Sequence, residues 1–520
     1  MDNFIPLPSQ TNVAGVSPQT TVILASGIEW GNDYEHVRYY DNGKAGCLAH
    51  VRSKAVKTYT QSTPVRFGEL SYRGKGNESD VLKCNYLAFQ NLPYSEEWYF
   101  GFITRVEWMS DNSFKIFFEP DRFQNSFYGL KLKPCFVERE HVAKTDDVIG
   151  ANLVPENIET GEYIVNSSAG LGFGLNNYYL VASADENGKN IEPEIDKNVM
   201  CGLTYYNTPT FSEIKEKIQT YINNGNGDAI VSIGQAPAIC FGTTSRELNM
   251  SFPTTLAGYT PKNKKLFQYP YSYLLVDCHD GAQYTFNIEF FRDGIKFNSQ
   301  GIKLNMPAIW IYPENYKNEP TMGTPYGFTY SNFPLCAWTN DAYQAWLAQS
   351  QPLWDYQTKQ QYLKTGQSFL GALGNLLGGN IGGAVESVAT QAVNNFMYAE
   401  GIMAQMEQHD LVPPSAKGNL SGSYVNASLF SNTIAFKTMC VTNDMAKTID
   451  NYFDMYGYAV HKVKTPNLTS RSSWNFVKTN NCGLHGTCVL DDINFLQAMF
   501  NRGVTFWHTD DVGNYGLENN

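Results

Sequence analysis

Residues 444–464, DMAKTIDNYFDMYGYAVHKVK, place an amphipathic helix directly before a strand. The apolar residues at helical spacing are Met445, Ile449, Tyr452 and Tyr456. Gly457 follows them, and glycine is the residue type that most often ends a helix. Residues 458–463 are rich in aromatic and β-branched side chains, which predicts a strand.

The rest of the C-terminal hundred residues continues this pattern. Residues 474–478 and 504–508 predict two more strands. Between them, Asp491 is placed to cap a helix that ends at Gly503. The apolar face of this helix is formed by Ile493, Leu496 and Phe500. The order helix, strand, strand, helix, strand predicts an α+β module whose sheet must pair with strands from elsewhere.

Residues 20–165 read as strands separated by turns. The segments that predict strands are Val22–Leu24, Val81–Phe89, Trp98–Trp108 and Phe114–Phe118. The fold class predicted for the whole chain is therefore α+β and rich in β-structure.

Residues 170–350 differ in character and predict an inserted α+β domain. Thr210 and Glu213 have the spacing of a capping box, ahead of a helix that ends after Asn223. Strands are predicted over 273–277 and 284–291. The glycine-rich run 170–174 is interpreted as a flexible junction at the domain boundary.

Composition excludes several classes of protein. The chain has 520 residues, of which 17% are charged and 14% aromatic, and a net charge of −12, which argues against nucleic-acid binding as an affinity function. Its ten cysteines are scattered, which favours reduced thiols in a protein made in a cytoplasm. Neither a signal peptide nor an ordinary transmembrane helix is expected.

One segment is apolar and uncharged: GQSFLGALGNLLGGNIGGAV at residues 366–385. In a helical projection most of its apolar side chains share one side, and the last residue of the segment is also apolar. The apolar residues are Phe369, Leu370, Leu373, Leu376, Leu377, Ile381 and Val385. A neighbouring strip carries Gly371, Gly374, Gly378 and Gly382. Its seven glycines would destabilise a helix by roughly 5–7 kcal/mol relative to alanine. The segment is either a loop or hairpin of the folded protein, or a part that is sequestered in one state and enters a membrane in another.

Motifs for catalysis or metal binding are weak. Cys482, His485 and Cys488 lie within seven residues, but a turn explains them better than a metal site. His508 with Asp510 and Asp511 could chelate a divalent cation, although strand alternation explains His508 equally well and turn chemistry explains the aspartates. Residues 138–141, Glu-Arg-Glu-His, predict an exposed, charge-paired strand. No catalytic, cofactor-binding or metal-binding residue is predicted, and the chain is not expected to be an enzyme.

Ordered blocks at both ends resemble a known family. In the C-terminal part they are 451–458, 463–468, 474–479, 503–510, 513–515 and 518–519. In the N-terminal part they are 32–34 with Arg38, 89–91, 98–99, 102–104 and 136–141. Together they resemble the distal tail-knob proteins of small short-tailed phages, the podoviruses with protein-primed genomes.

This resemblance implies an architecture and a role. Residues 1–168 and 419–520 would form a tube-wall sheet closed into a hexameric ring, and 169–350 would be the insertion. Residues 351–418 would hold the apolar loop and a helical arm, with the loop plugging the lumen and released to penetrate the host membrane during DNA ejection. The implied partners are other copies in a homo-hexamer, a proximal tail tube or connector protein, the host membrane, and DNA only as passing cargo. The protein would be located in the virion, at the distal tail.

A second hypothesis comes from a different functional class. The insertion could make the chain a tail-tip adhesin or an enzyme that cuts cell-wall polymer. Trp310 and Trp346 would then stack on sugars, although burial in a core explains them more simply. A ring with an open lumen would favour the structural role.

Overall fold

The computed structural model describes residues 19–183, 204–242, 244–303, 307–319, 324–337, 420–422 and 424–520. The chain is rich in β-structure and divides into two compact units. Unit 1 comprises Met1–Glu159, Pro261–Lys265 and Lys447–Asn520, and unit 2 comprises Thr160–Thr260 and Leu266–Ala446. Unit 1 therefore contains both ends of the chain and a short segment from its middle.

The N-terminal part of unit 1 is built around one antiparallel sheet. Its strands are β1 (Thr20–Ala25), β2 (Val37–Arg38), β3 (Ala55–Ser62), β4 (Ser71–Lys75), β5 (Tyr86–Asn91), β6 (Tyr99–Ser110), β7 (Ser113–Pro120), β8 (Lys131–Leu132) and β9 (Cys135–Glu140). Its helices are α1 (Lys44–Ser53), α2 (Glu78–Val81) and α3 (Arg122–Ser126). Six of the strands form the sheet in the order β3-β1-β5-β6-β7-β4. The predicted strands are confirmed, except that the one predicted over 81–89 begins only at Tyr86, after α2 and a turn.

Both faces of this sheet are covered, which explains the unbroken apolar run in β1. Val22 and Leu24 belong to one core cluster, and Ile23 belongs to a second cluster that includes Cys47 and Val51 of α1. The edge strands β3 and β4 also meet, because the Ser62 and Tyr72 hydroxyl oxygens are 2.7 Å apart. The sheet is thus curled until its two edges come together.

Within the described residues, unit 2 contains three sheets. Its strands are β10 (Tyr163–Gly172), β11 (Asn177–Ala182), β12 (Thr204–Thr208), β13 (Ile230–Ala236), β14 (Ser245–Met250), β15 (Ser272–Asp277), β16 (Gln283–Phe286), β17 (Ile295–Lys303), β18 (Pro307–Pro313), β19 (Phe328–Tyr330), β20 (Leu335–Ala337), β21 (Leu420–Ser421) and β22 (Thr433–Val441). The helices described in this unit include α4 (Phe211–Asn223) and α5 (Tyr424–Leu429). The sheet orders are β10-β22-β15-β16, β12-β11-β13-β20-β21 and β14-β17-β18-β19.

Several details of unit 2 differ from the sequence predictions. Helix α4 is confirmed, but the Thr210 side chain makes no capping hydrogen bond, and Glu213 accepts one from the Thr208 hydroxyl. The strand predicted over 284–291 ends at Phe286 and a 3₁₀ turn follows. The predicted junction at 170–174 is wrong for its first residues, because β10 continues to Gly172 and pairs with β22.

The C-terminal module has the predicted order of elements. It contains α6 (Asn443–Tyr456), β23 (Tyr458–Lys464), β24 (Trp474–Asn480), β25 (Leu484–His485), α7 (Leu490–Arg502) and β26 (Val504–Trp507). Helix α6 ends before Gly457, which has a φ of 65°, as predicted. Helix α7 begins one residue after Val489, so Asp491 lies in its first turn and is not its cap.

The two ends of the chain share one sheet. Its order is β2-β26-β24-β9-β23, so the N-terminal strands β2 and β9 are both paired with C-terminal strands. Strand β24 pairs with β9 on one side and with β26 on the other. The expectation that the C-terminal module completes its sheet with N-terminal strands is therefore confirmed.

Candidate functional site: the sheet shared by the two ends of the chain

The centre of the shared sheet is β24, which is held on both faces. On one face, the Trp474 indole N–H donates to the Asp454 carbonyl oxygen in α6 over 2.9 Å. On the other face, Val477 packs in a core cluster with Leu496 and Phe500 of α7. The helices that precede and follow β24 in the sequence thus fix it in space.

The C-terminal end of the chain adds a further constraint that the sequence did not reveal. The Asn519 Oδ1 atom accepts hydrogen bonds from the backbone N–H groups of Ser473 and Trp474, each at 3.0 Å. Its Nδ2 atom donates to the Trp474 carbonyl oxygen over 2.9 Å. One buried amide side chain therefore satisfies the backbone at the start of β24.

His141 is a buried structural histidine at the end of β9. Its Nδ1 atom accepts from the Phe476 backbone N–H over 2.7 Å, and its Nε2 atom donates to the Asp454 carbonyl oxygen over 3.0 Å. Burial, with a contribution from the Arg471 charge, lowers the pKa of His141 to about 3. The imidazole is thus neutral and committed to two backbone groups, which does not suit acid–base catalysis.

This arrangement predicts acid sensitivity. Because the folded pKa of His141 is about 3 and the ordinary value is 6.5, the unfolded chain takes up a proton first as the pH falls through that window, and stability is lost. From about pH 7 to about pH 5 the loss should be about 2 kcal/mol. Urea unfolding of His141→Gln should show a weaker pH dependence than wild type, although the variant is less stable at pH 7. His485→Gln, an exposed control, should follow wild type. Parallel pH profiles for wild type and His141→Gln would contradict the assignment.

The two glutamates of β9 are each committed to a lysine. Glu138 Oε2 is 2.7 Å from Lys478 Nζ, and Glu140 accepts from Lys464 Nζ and from the Asn467 backbone N–H. The prediction of a charge-paired strand is confirmed, but the prediction that it is exposed is wrong for Glu140, which is 2% exposed. The chain that follows β23 covers this end of the strand.

Arg139 lies in a cluster of buried charges. Its guanidinium pairs with Glu156, whose side chain is 0% exposed and also pairs with Lys265. The Ala459 backbone N–H donates to the same carboxylate over 2.9 Å. Glu156 thus links β9, β23 and the segment Pro261–Lys265 within unit 1, a connection that no sequence pattern indicated.

The candidate cation ligands near the C-terminus have other partners. His508 Nε2 is 3.1 Å from Asn475 Oδ1. Asp510 Oδ1 is 3.2 Å from an Arg38 guanidinium nitrogen and 3.4 Å from His50 Nδ1. In the parts of the chain that the structure describes, no group of three His, Cys, Asp or Glu side chains is placed to hold a metal ion.

Cys482, His485 and Cys488, which lie within seven residues of sequence, have different environments in the structure. Cys482 is buried and its backbone N–H donates to Asn501 Oδ1 of α7 over 3.0 Å. His485 is exposed in β25, which pairs with β8, and Cys488 is partly exposed. The interpretation as a turn is close to the observed structure, which contains a two-residue strand.

The apolar loop predicted over 366–385, with all of its named apolar and glycine residues, lies outside the described residues, and so does Trp346. Trp310 is described, and its ring lies against Gly327, where a Cβ atom would come within 2.2 Å of it. Its position is therefore explained by packing. Among the described residues, no helix is both long and apolar enough to cross a bilayer.

Comparison with known proteins identifies the class as phage tail proteins. A family model described as the C-terminal domain of Bacillus phage phi29 tail knob protein gp9 matches residues 241–520. A second model, the caudoviral major tail protein N-terminus, matches residues 18–131. The first match covers more than half of the chain, so the chain belongs to the family of phi29 tail knob protein gp9.

Individual relatives agree along nearly the whole chain. The tail knob proteins gp9 of Bacillus phages PZA and phi29 are each 21% identical, covering 96% of this chain and 98% of the relative. The bacteriophage C1 tail knob protein gp12 has a similar fold, with a TM-score of 0.63 at 14% identity over 96% of this chain and 99% of that one. The chain is therefore a structural component of the virion tail, made in the host cytoplasm, and not an enzyme.

Proposed function

We propose that about six copies of this chain close into a hollow tube at the distal end of the tail, through which the genome leaves. The observation that carries the proposal is the shared sheet, because it brings both ends of the chain into one wall and makes β23 an edge strand. Edge strands present unpaired backbone groups, and a closed ring of copies gives each edge a partner. A proximal tail tube or connector protein would hold the other end of the tube.

The side chains at this edge support contact with a neighbouring copy. Val463 in β23 is 74% exposed, and Phe136, its cross-strand neighbour in β9, is 39% exposed. The His461 ring stacks on the Phe136 ring with centroids 6.0 Å apart. Exposed apolar side chains at the open edge of a sheet are typical of a surface that a partner covers.

The ring is tested by the mass of the purified protein. Light scattering should give about six times the chain mass of 58.4 kDa. Val463→Asp should reduce the assembly to smaller species, because it buries a charge in the contact. Leu82→Asp is the matched control, since Leu82 is 58% exposed and follows α2, which lies beside the N-terminal sheet that does not contain β23. A monodisperse wild-type monomer, or a Val463→Asp ring of unchanged mass, would contradict the proposal.

The apolar loop is assigned the membrane role. Residues 366–385 would occupy the lumen before ejection and enter the host membrane after release, since twenty uncharged residues match about one bilayer core. Several copies in one ring would raise the local concentration and let the glycine strips pack together. The net charge of −12 fits an acidic or near-neutral lumen along which DNA passes without binding.

Liposome dye release tests this role directly. Wild type should cause leakage, and a variant lacking Gln367–Val385 should cause none while keeping the mass of the ring. Substituting Asp for Leu373, Leu376 and Leu377 should give the same result, because charged side chains oppose entry into the bilayer. Acid should increase leakage, since Glu386, Glu400 and Glu407 enter an apolar phase more readily when protonated. Equal leakage from wild type and the deletion would remove the loop from the mechanism.

A further inference from the structure

Two cysteines from distant parts of the sequence meet where β9 begins and β24 ends in the shared sheet. Cys135 is the first residue of β9, and Cys482 follows β24. The two strands pair with Phe136 opposite Asn480, and the same register continues to Leu132 opposite Leu484. Cys135 therefore lies beside the backbone of residues 481–482.

The local backbone directs both sulfur atoms into the same space. Asn481 has a φ of 61°, which turns the chain and places the Cys482 side chain inside, where it is 3% exposed. Cys135 is 6% exposed. Each thiol contributes to the shift in the pKa of the other, and the Thr479 side chain contributes to both shifts, so the two thiols are near neighbours. Both side chains are free thiols in this structure.

We infer that Cys135 and Cys482 are a latent disulfide site, which closes when the virion passes from the host cytoplasm to an oxidising medium and joins the two ends of the chain covalently. Residues directly opposite each other on paired antiparallel strands have Cα separations of about 4.5–5.5 Å, which a disulfide can span, and Cys482 is one residue beyond the position opposite Cys135. Reducing cytoplasm keeps such pairs as thiols, and an extracellular medium does not. The inference concerns the folded chain and does not depend on ring closure or on the apolar loop.

The reaction needs an oxidant, which is a small-molecule disulfide. The thiolate of one cysteine attacks a sulfur atom of that disulfide, breaks its S–S bond and releases one small thiolate. The second cysteine, as a thiolate, then attacks the mixed disulfide, forms the Cys135–Cys482 bond and releases the other small thiolate. The two protein thiols are oxidised, the small disulfide is reduced, and the two protons end on the released thiols.

The surroundings control the rate. Burial raises the pKa of Cys135 above its usual range and raises that of Cys482 to about 12. Because the thiolate is the attacking species, the reaction is slow at neutral pH and becomes faster as the pH rises. The bond would enclose all of unit 2 in one covalent loop, since its residues lie between the two cysteines in the sequence. Unfolding of either end would then leave the two ends of the chain attached.

The experiment uses the full chain with Cys488→Ser, which removes a partly exposed thiol. The folded protein is incubated with oxidised glutathione, alkylated, and examined on a non-reducing denaturing gel and by mass spectrometry of proteolytic peptides. We expect a faster-migrating species that dithiothreitol abolishes, a peptide pair linking Cys135 to Cys482, and a higher unfolding temperature for the oxidised form. The rate of its formation should increase with pH.

Variants make the test specific. Adding Cys135→Ser or Cys482→Ser should abolish the fast species, with Cys135→Ala and Cys482→Ala used if serine disturbs folding. The peptide mapping of the parent chain requires neither substitution. If the linked peptide is missing after an incubation that oxidises the unfolded chain, or if the fast species persists in the single-cysteine variants, the inference is overturned.

Discussion

Replacing Glu156 by alanine is expected to lower the free energy of unfolding by about 3–5 kcal/mol. The side chain is 0% exposed and balances two cations, Arg139 and Lys265, whose own side chains are 13% and 5% exposed. Without it, both positive charges remain buried with a carboxylate partner missing. The loss should appear as a lower urea midpoint with an unchanged slope, because the surface exposed on unfolding is the same.

Two controls separate the buried charge from ordinary ion pairing. Glu69→Ala removes a carboxylate 2.8 Å from Arg66 at the surface, and should leave the urea midpoint nearly unchanged. Replacing the buried group as a whole, with Glu156→Leu, Arg139→Met and Lys265→Met together, should recover most of the stability lost in Glu156→Ala. If Glu156→Ala unfolds at the wild-type urea concentration, the cluster does not stabilise unit 1 in the way the geometry indicates.

The Glu156 cluster shows where sequence reasoning stops. The segment Pro261–Lys265 carries three lysines, yet Asn263 is 2% exposed and Lys265 is 4% exposed. Asn263 donates to the Asp450 carboxylate of α6 over 2.9 Å, and Lys265 donates to Glu156 and to the Val154 carbonyl oxygen. Hydropathy cannot predict such burial, because it depends on acceptors that are distant in sequence.

A contact with a residue distant in sequence also explains why the buried face of α6 differs from the predicted one. The periodic pattern predicted Tyr452 as a core residue, but it is 37% exposed, and Phe453 beside it is 1% exposed. The Arg139 guanidinium lies over the Tyr452 ring at 4.8 Å from its centroid. A tyrosine covered by a cation has the same pattern in the sequence as one covered by apolar side chains.

The helices and strands that depend on local sequence signals, by contrast, were predicted well. The bounds of α6, β23, β24 and α7 follow from helical periodicity and from the two glycines that end the helices. The sharing of one sheet by both ends was expected from the unpaired strands of the C-terminal module, and from the family resemblance of both ends. The partner strand β9 was not identified by its pattern, because its charged residues made it resemble an exposed strand.

Substituting alanine at Gly457 is expected to be the most damaging single change in the shared sheet. The residue has a φ of 65°, and a Cβ atom there would lie 2.3 Å from the Glu140 carbonyl oxygen. That oxygen belongs to the backbone of β9, so α6 or β23 would have to move away from the strand. We expect a loss of about 4 kcal/mol or more, the range in which backbone strain and a steric clash act together.

Gly27→Ala is the matched control for the backbone conformation. Gly27 has a φ of 69°, and no atom lies within 4 Å of the place where its Cβ would be. That variant should lose only about 1–2 kcal/mol of unfolding free energy, which is the cost of a left-handed backbone conformation for a residue with a Cβ atom. Thermal unfolding of both variants, with light scattering of the folded protein, separates the two effects. Gly457→Ala should also weaken assembly, because β23 is the edge through which the copies are proposed to meet, whereas Gly27→Ala should keep the wild-type mass. Equal losses of stability in the two variants would show that the close approach between Gly457 and Glu140 does not hold β23 against β9.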